Sequence, residues 1–340
     1  MQNVSLKNIK FPVEKKYGKK SASFLSEIIE DEQKKVNAFI TNSIKSEVPL
    51  IPLLSDHLLQ SGGKRIRPAI TILVSKLFNY NYGHRHIKLA SCIELIHMAS
   101  LLHDDVVDES TMRRGRNSAN HVWGNKASIL VGDYLFSKAF QILVEDNDPI
   151  VLKILSEVSR ALAQGEVMQL SLVNNIDISK EKYFKVIEDK TAKLFSAAAL
   201  TGGVVSGVSS QLITELGRFG NLMGTSFQIL DDALDYDKSI KGTGKKIGAD
   251  FREGKVTLPV LLALEKSTDE EKKFWRRTME KMDQSDNDFD HALKLLNKYK
   301  CLSETKKIAS VFAKKAETIV KQFPQNIYSE ALLTLTHYNH

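Results

Sequence analysis

Two aspartate clusters carry the clearest chemical potential in this chain, Asp104-Asp105-Val106-Val107-Asp108 and Asp231-Asp232-Ala233-Leu234-Asp235. Each follows an apolar turn, Leu101-Leu102 and Ile229-Leu230, so both read as the C-terminal end of a long helix. On a helix, positions i and i+4 share a face. Asp104 therefore sits with Asp108 and Asp231 with Asp235, while Asp105 and Asp232 stand ~100° round. Stacked carboxylates at a helix C-terminus repel one another and the negative end of the helix dipole. One such cluster reads equally well as a solvated acidic face, but two with identical spacing call for a cation. Hard carboxylate oxygens with room for water and phosphate ligands suit Mg²⁺, and calcium-loop spacing is absent.

Basic residues accompany both clusters. Gly62-Gly63-Lys64-Arg65-Ile66-Arg67-Pro68 is a glycine turn leading into a helix, where Lys64 and Arg67 can converge on one anion. Arg113-Arg114-Gly115 follows the first cluster, and Gly244-Lys245 and Gly254-Lys255 follow the second. A nucleic-acid strand would be repelled by the carboxylates, and aromatic residues interleaved as a stacking platform are missing. Magnesium diphosphate satisfies both signs at once.

These groups need a frame of helices. Apolar residues recur at helical spacing from Ser21 to about Lys45, and the stretches Ile87–Asp108, Asn120–Val144, Pro149–Leu172, Lys180–Val205 and Gln211–Tyr236 read likewise. Glycines at 124 and 132 interrupt the second of these. Less helical stretches, Gln60–Arg67, Glu109–Ala119 and Ser239–Thr257, are where Gly, Lys and Arg concentrate. No period-2 strand run, fixed repeat or low-complexity linker is present. The expectation is an all-α, single-domain helical bundle over residues 21–340 behind a basic arm at 1–20.

Composition agrees. The 340 residues are 42% hydrophobic, and 48 Lys+Arg against 41 Asp+Glu leave a formal charge of +7, which favours an anionic partner. Cys92 and Cys301 are far apart and outside any C-x-x-C pair, so a disulfide framework or zinc site is not expected and a reducing, cytoplasmic setting is. No run of about 18 apolar residues predicts a membrane span. Met1–Lys20 has lysines but no arginine and no apolar signal core.

With these residues in place the chain resembles the trans-isoprenyl diphosphate synthases over roughly residues 20–340. The family's motifs stand in order: GGKRIRP at 62–68, LLHDDVVDESTMRRG at 101–115, KT at 190–191, FQILDDALD at 227–235, and GKKIGAD with EGK between 244 and 255. The resemblance implies an isoprenoid-synthase-type bundle around a deep central cavity, usually in a homodimer. It implies that Asp104, Asp105, Asp108, Asp231, Asp232 and Asp235 hold about three Mg²⁺, with Mn²⁺ as a substitute, around an allylic diphosphate. Arg113, Lys190, Lys245 and Lys255 would grip that diphosphate, with Thr191 and Gln228 beside the reacting carbons. Gly63, Lys64, Arg67, His97 and Arg114 would bind isopentenyl diphosphate. Lys246 stands where the family often has proline.

Product length depends on what lies beneath the aspartates. Ala99 and Ser100, about one turn below Asp104, are small where short-chain members tend to be bulky. A tunnel beside a ~20-residue helix would be roughly 30 Å deep, room for on the order of C40–C50. Leu155 and Leu162 are candidates for its floor. LLHDDVVDE is similar to the octaprenyl, solanesyl and decaprenyl enzymes that make quinone side chains, primed by farnesyl or geranylgeranyl diphosphate. Contact with a membrane during product release follows from the apolar product and basic surface. Rival readings are a short-chain (C15–C20) synthase, a terpene cyclase, which would usually lack GGKRIRP, and a regulatory subunit, which would usually lose a motif.

Overall fold

The structure is a computed structural model that describes residues 21–238 and 247–337; the expected basic arm at 1–20, and Lys245 and Lys246, lie outside the described residues. The first half runs α1 (Ser21–Ser43), α2 (Leu50–Gln60), α3 (Ile66–Leu77), α4 (Arg85–Val107), a hairpin of β1 (Met112–Arg113) and β2 (Arg116–Asn117), α5 (Ala119–Trp123), α6 (Asn125–Asp146) and α7 (Pro149–Leu172). The second half runs α8 (Lys180–Ile187), α9 (Lys193–Val205), α10 (Ser210–Leu234), α11 (Ala249–Arg252), α12 (Leu258–Lys266), α13 (Asp269–Trp275), α14 (Asp288–Lys298), α15 (Cys301–Val320) and α16 (Ile327–Thr336). The all-α expectation holds, and the two-residue strands are the exception to it.

Local sequence explains the boundaries. Asp148 accepts the backbone N–H groups of Ile150 and Val151 and Pro149 supplies the first helical position, so α7 begins there. Ser179 and Ser209 cap α8 and α10 in the same way. The expected helix Asn120–Val144 is in fact two, because Gly124 adopts φ +84° and ends α5. Gly132 does not interrupt α6; it makes room for the ring of His103 on α4. From Lys180 to Val205 the chain is one continuous rod, as expected, but Glu188–Ala192 forms a π-helical turn within it.

Long α10 organises the bundle, packing along α9 and α15, while α4 packs on α6 and α3, and α3 on α9. Two apolar clusters result. The first joins α1–α7, α9 and α16 to the N-terminal half of α10 through Leu216, Phe219 and Met223. The second gathers α8 and α12–α15 around Ile229 and Leu230 at the other end of α10. The second aspartate cluster starts one residue after Leu230, where the two cores meet. By length and composition α6 is apolar enough to cross a membrane. Its Val131, Leu135, Ala139, Ile142 and Leu143 are buried in the bundle, and Leu130 and Val144 on its outer side are 67% exposed.

Candidate active site

Asp104 lies in the last turn of α4 and Asp108 caps it, its N–H bonding to Asp104 O at 2.8 Å. Asp105 points the other way and is 1% exposed. Its carboxylate accepts from Arg113 Nε at 2.9 and 2.8 Å and from Nη2 at 2.6 Å, a charge-assisted fork. The hairpin delivers that arginine: Met112 pairs with Asn117 and Arg113 with Arg116, around a two-residue turn with φ +50° at Arg114 and +77° at Gly115. Positive φ at both positions is the type I′ geometry that matches strand twist.

The second cluster divides similarly. Asp231 is exposed, whereas Asp232 is 5% exposed. Asp232 accepts from the Tyr183 hydroxyl at 2.6 Å and from Gln228 Nε2 at 2.9 Å. Burial, with Asp231 and Asp235 nearby, pushes its carboxyl above the ordinary range despite those two donors. Asp235 accepts the backbone N–H groups of Ala249 at 3.2 Å and Asp250 at 3.0 Å, anchoring the start of α11.

Two lysines meet the outward aspartates. Lys190, on the π turn, pairs with Glu166 and lies 3.9 Å from Asp104. Burial raises the Asp104 carboxyl, and Glu166 and Asp108 add to this against the opposing field of Lys190. Gly165 lets α7 approach that turn, since a Cβ there would stand 2.7 Å from Lys190 N. Lys255 reaches across from the second half to Asp108 at 2.7 Å, and also touches Glu253 at 2.8 Å. Asn174 N–H bonds to Gly254 O at 3.0 Å, and its side chain packs where a Gly254 Cβ would be, so the turn before Lys255 requires glycine at φ +65°.

The basic loop at 62–67 faces the hairpin. Arg114 donates to Gly62 O, and its guanidinium lies over Gly63, where φ +138° and the close approach both exclude a side chain. Arg65 pairs with buried Glu94 and donates to Leu59 O at 3.0 Å. Arg67 lies 4.6 Å from the Phe195 ring centroid, and burial lowers its guanidinium to about 10. Its Nη1 stands 3.0 Å from His97 Nε2. Burial and then the arginines Arg67, Arg114, Arg113 and Arg65 hold His97 well below the usual range, so it is neutral and accepts from Arg67. The field of Asp231 reaches Lys64, which ties this loop to the second cluster.

The structure thus brings together Asp104, Asp108, Lys190 and Lys255 on one side and Gly63, Arg67, His97 and Arg114 on the other, with Arg113 beside Asp105. Thr191 donates to Gln228 Oε1 at 2.8 Å, which joins the Lys190 turn to α10. Lys245 lies outside the described residues. Ser100 shares Asp104's helix face and bonds His97 O at 2.8 Å, while Ala99 stands on a neighbouring face, fully buried in one apolar cluster with Leu155 and Leu162. A cleft of about 710 Å³ is lined by Tyr236 and Asp237, next in sequence to the second cluster, with Leu293, Leu302 and Lys306. Sequence reasoning missed Glu166, Glu94, Tyr183 and Asn174 as neighbours of the site. Glu94 had a signal, a lone charge inside the apolar run 89–96; Tyr183 had none, since an aromatic at helical spacing reads as core.

The first acidic helix end, paired with Lys190 and Lys255, lies within the field of Arg67 in the arginine-rich loop, which sets charges of both signs side by side. The polyprenyl synthetase family model matches residues 48–296. The chain is 40% identical to the octaprenyl diphosphate synthase of Escherichia coli (strain K12), over 92% of this chain and 96% of that one. A decaprenyl diphosphate synthase from Rhodobacter capsulatus has a similar structure, with a TM-score of 0.89 and 40% identity over 94% of this chain and 98% of that one. A polyprenyl synthase from Caulobacter crescentus CB15, complexed with calcium and isoprenyl diphosphate, superimposes with a TM-score of 0.90 at 41% identity, covering 94% and 97%. The chain belongs to the polyprenyl synthetase family.

Proposed function

We propose that this chain is a Mg²⁺-dependent prenyltransferase that adds isopentenyl diphosphate units to an allylic diphosphate, building an all-trans product of about C40–C50. The carrying observation is the meeting of outward carboxylates and lysines from both halves of the chain, typified by Lys255 on Asp108. Long-chain synthases among the relatives support the product class.

Among the described residues no three carboxylate, His or Cys side chains converge as a preformed metal cage. The donors fit Mg²⁺ nonetheless, because that ion keeps waters and substrate phosphate oxygens and takes only one or two carboxylates from each wall. Asp104, Asp108 and Asp231 are the carboxylates turned outward for it; Asp105 and Asp232 act from behind them. When bound, Mg²⁺ neutralises charge developing on the departing diphosphate.

Lys190 and Lys255 then exchange their carboxylate partners for diphosphate oxygens, and Arg113, fixed by Asp105, offers Nη1. The C–O bond of the allylic substrate breaks, and the carbocation lies against the oxygen dipoles of Thr191 and Gln228 with water excluded. Gly63, Lys64, Arg67, His97 and Arg114 hold isopentenyl diphosphate so that its double bond attacks that carbon. The proton lost in forming the new double bond passes to the released diphosphate, so no protein base is required.

Ala99, Ser100, Leu155 and Leu162 line the path of the growing chain in this reading. A second copy would cover the outer α6 stripe at Leu130 and Val144, giving a homodimer that light scattering would detect. The soluble substrates suit a cytoplasmic enzyme that meets a membrane when its product leaves, serving quinone side-chain synthesis. Purified protein with farnesyl diphosphate, labelled isopentenyl diphosphate and Mg²⁺ tests the whole reading. A ladder ending near C40–C50 is expected. Termination at C20 would retain the chemistry and discard the tunnel assignment, and no incorporation by folded, metal-supplied protein would overturn both.

A further inference from the structure

A chain of hydrogen bonds runs from the core to the Lys190–Thr191 turn. Tyr183, 4% exposed on α8, donates to Asp232 Oδ2 at 2.6 Å. Asp232 Oδ1 accepts from Gln228 Nε2 at 2.9 Å, and Gln228 Oε1 accepts from the Thr191 hydroxyl at 2.8 Å. The direction of each link is set by chemistry. When Asp232 is ionised its oxygens only accept, so the Gln228 group facing it is the amide nitrogen. The Gln228 oxygen is then compelled to face Thr191. Both Asp232 oxygens are occupied, which accounts for an aspartate beside outward Asp231 that is itself turned inward. Packing alone needs no hydroxyl here: the Tyr183 ring lies in an apolar cluster with Ile187 and Ile229, 5.4 Å from the Phe184 ring.

We propose that Tyr183 is a positioning residue for the ionisation step, acting through Asp232 to lock the Gln228 amide with its oxygen toward the reacting carbons. This rests on the placement of Gln228 and Thr191 beside the allylic carbons proposed above. Without the Tyr183 donor, Asp232 can turn and the Gln228 amide can rotate. The dipole stabilising the cation is then lost, while the diphosphate contacts that set substrate affinity are untouched.

The test is steady-state kinetics of Tyr183→Phe, Gln228→Ala and the double variant, with farnesyl and isopentenyl diphosphates and Mg²⁺ and with melting temperatures as a fold control. Tyr183→Phe is expected to lower kcat by about tenfold or more, the size typical of outer-shell partners, with both KM values within about twofold. The double variant is expected to be no slower than Gln228→Ala, since a residue that acts through another adds nothing once that other is gone. Multiplying losses, or an unchanged kcat in Tyr183→Phe, would overturn the inference and leave the site reading intact. An unchanged kcat in Gln228→Ala would overturn both. Should Tyr183→Phe fail to fold, Tyr183→Leu also removes the donor while keeping an apolar side chain, and its kcat loss must likewise vanish in the Gln228→Ala background.

Discussion

The two aspartate clusters share one spacing and end in different environments. In the first, the inward aspartate meets a charged fork, Arg113, carried on its own hairpin. In the second, the inward aspartate meets two neutral donors, Tyr183 and Gln228, and stays pushed above the ordinary carboxylate range. The third positions diverge as well: Asp108 holds Lys255 across the site, whereas Asp235 holds the backbone start of α11. The first cluster is therefore balanced by side-chain cations. The second leaves Asp231 exposed, within the field of Lys64. Spacing sets which carboxylates share a helix face, and the packing around them sets which way that face looks and what charge it can carry.

Removing an outward carboxylate should have the largest effect. Asp104→Ala or Asp231→Ala is expected to lower kcat by about a thousandfold or more, as loss of a charge-stabilising group does. Near-normal turnover by either folded variant would refute the assignment of outward aspartates to the metal. The inward pair sharpens the contrast. Asp105→Asn strands part of a buried ion pair and should cost about 2–3 kcal/mol of stability, read from the denaturant midpoint, with Arg113's partial exposure keeping it below the full buried-pair penalty. Asp232→Asn removes a strained charge and should leave the midpoint unchanged or raised while kcat falls. Equal destabilisation of both would show that the two inward carboxylates do not differ in charge state.

A third test concerns the path beneath Asp104. Ser100→Phe, and Ala99→Tyr on the adjacent buried face, should shorten the product ladder. An unchanged length distribution would remove both residues from the tunnel wall.

Acidity should produce the smallest effect, and its sign is determined. Asp104 and Asp232 are raised to about 7 in the fold, so the folded state takes up protons and gains stability as pH falls through that value in Mg²⁺-free buffer. His86 is lowered to about 4 by burial and His97 is held well below its usual range, so each costs stability once the unfolded chain protonates its histidines below about 6.5. Melting temperature should therefore rise modestly from pH 8 to about 6.5 and then flatten. Asp104 would hold Mg²⁺ only when ionised, so the apparent Mg²⁺ affinity should fall as pH falls over the same interval. A melting temperature that declines steadily from pH 8 to 6.5 would contradict the raised carboxyls.

Much of the scaffold was legible because it rests on local chemistry. Asp148-Pro149 starts α7 where expected, and the uninterrupted apolar run before Asp104 is one helix. The hairpin at 112–117 was not legible, since two-residue strands leave no periodic pattern. The π turn at 188–192 was not either: Lys190 and Thr191 leave regular helical phase where α7, through Gly165, packs directly on that backbone, a contact no local pattern encodes.

By itself the sequence determined the chemistry on offer. Carboxylates at i, i+1 and i+4, glycine turns beside lysine and arginine, and helical periodicity are properties of neighbouring residues. Tertiary structure alone decided which aspartates face outward with Lys190 and Lys255 and which are bound from behind by Arg113 and Tyr183. Those partners lie up to 147 residues away along the chain, as Lys255 does from Asp108. Such pairings depend on how helices pack, which no local spacing encodes, and burial then sets each carboxylate's charge.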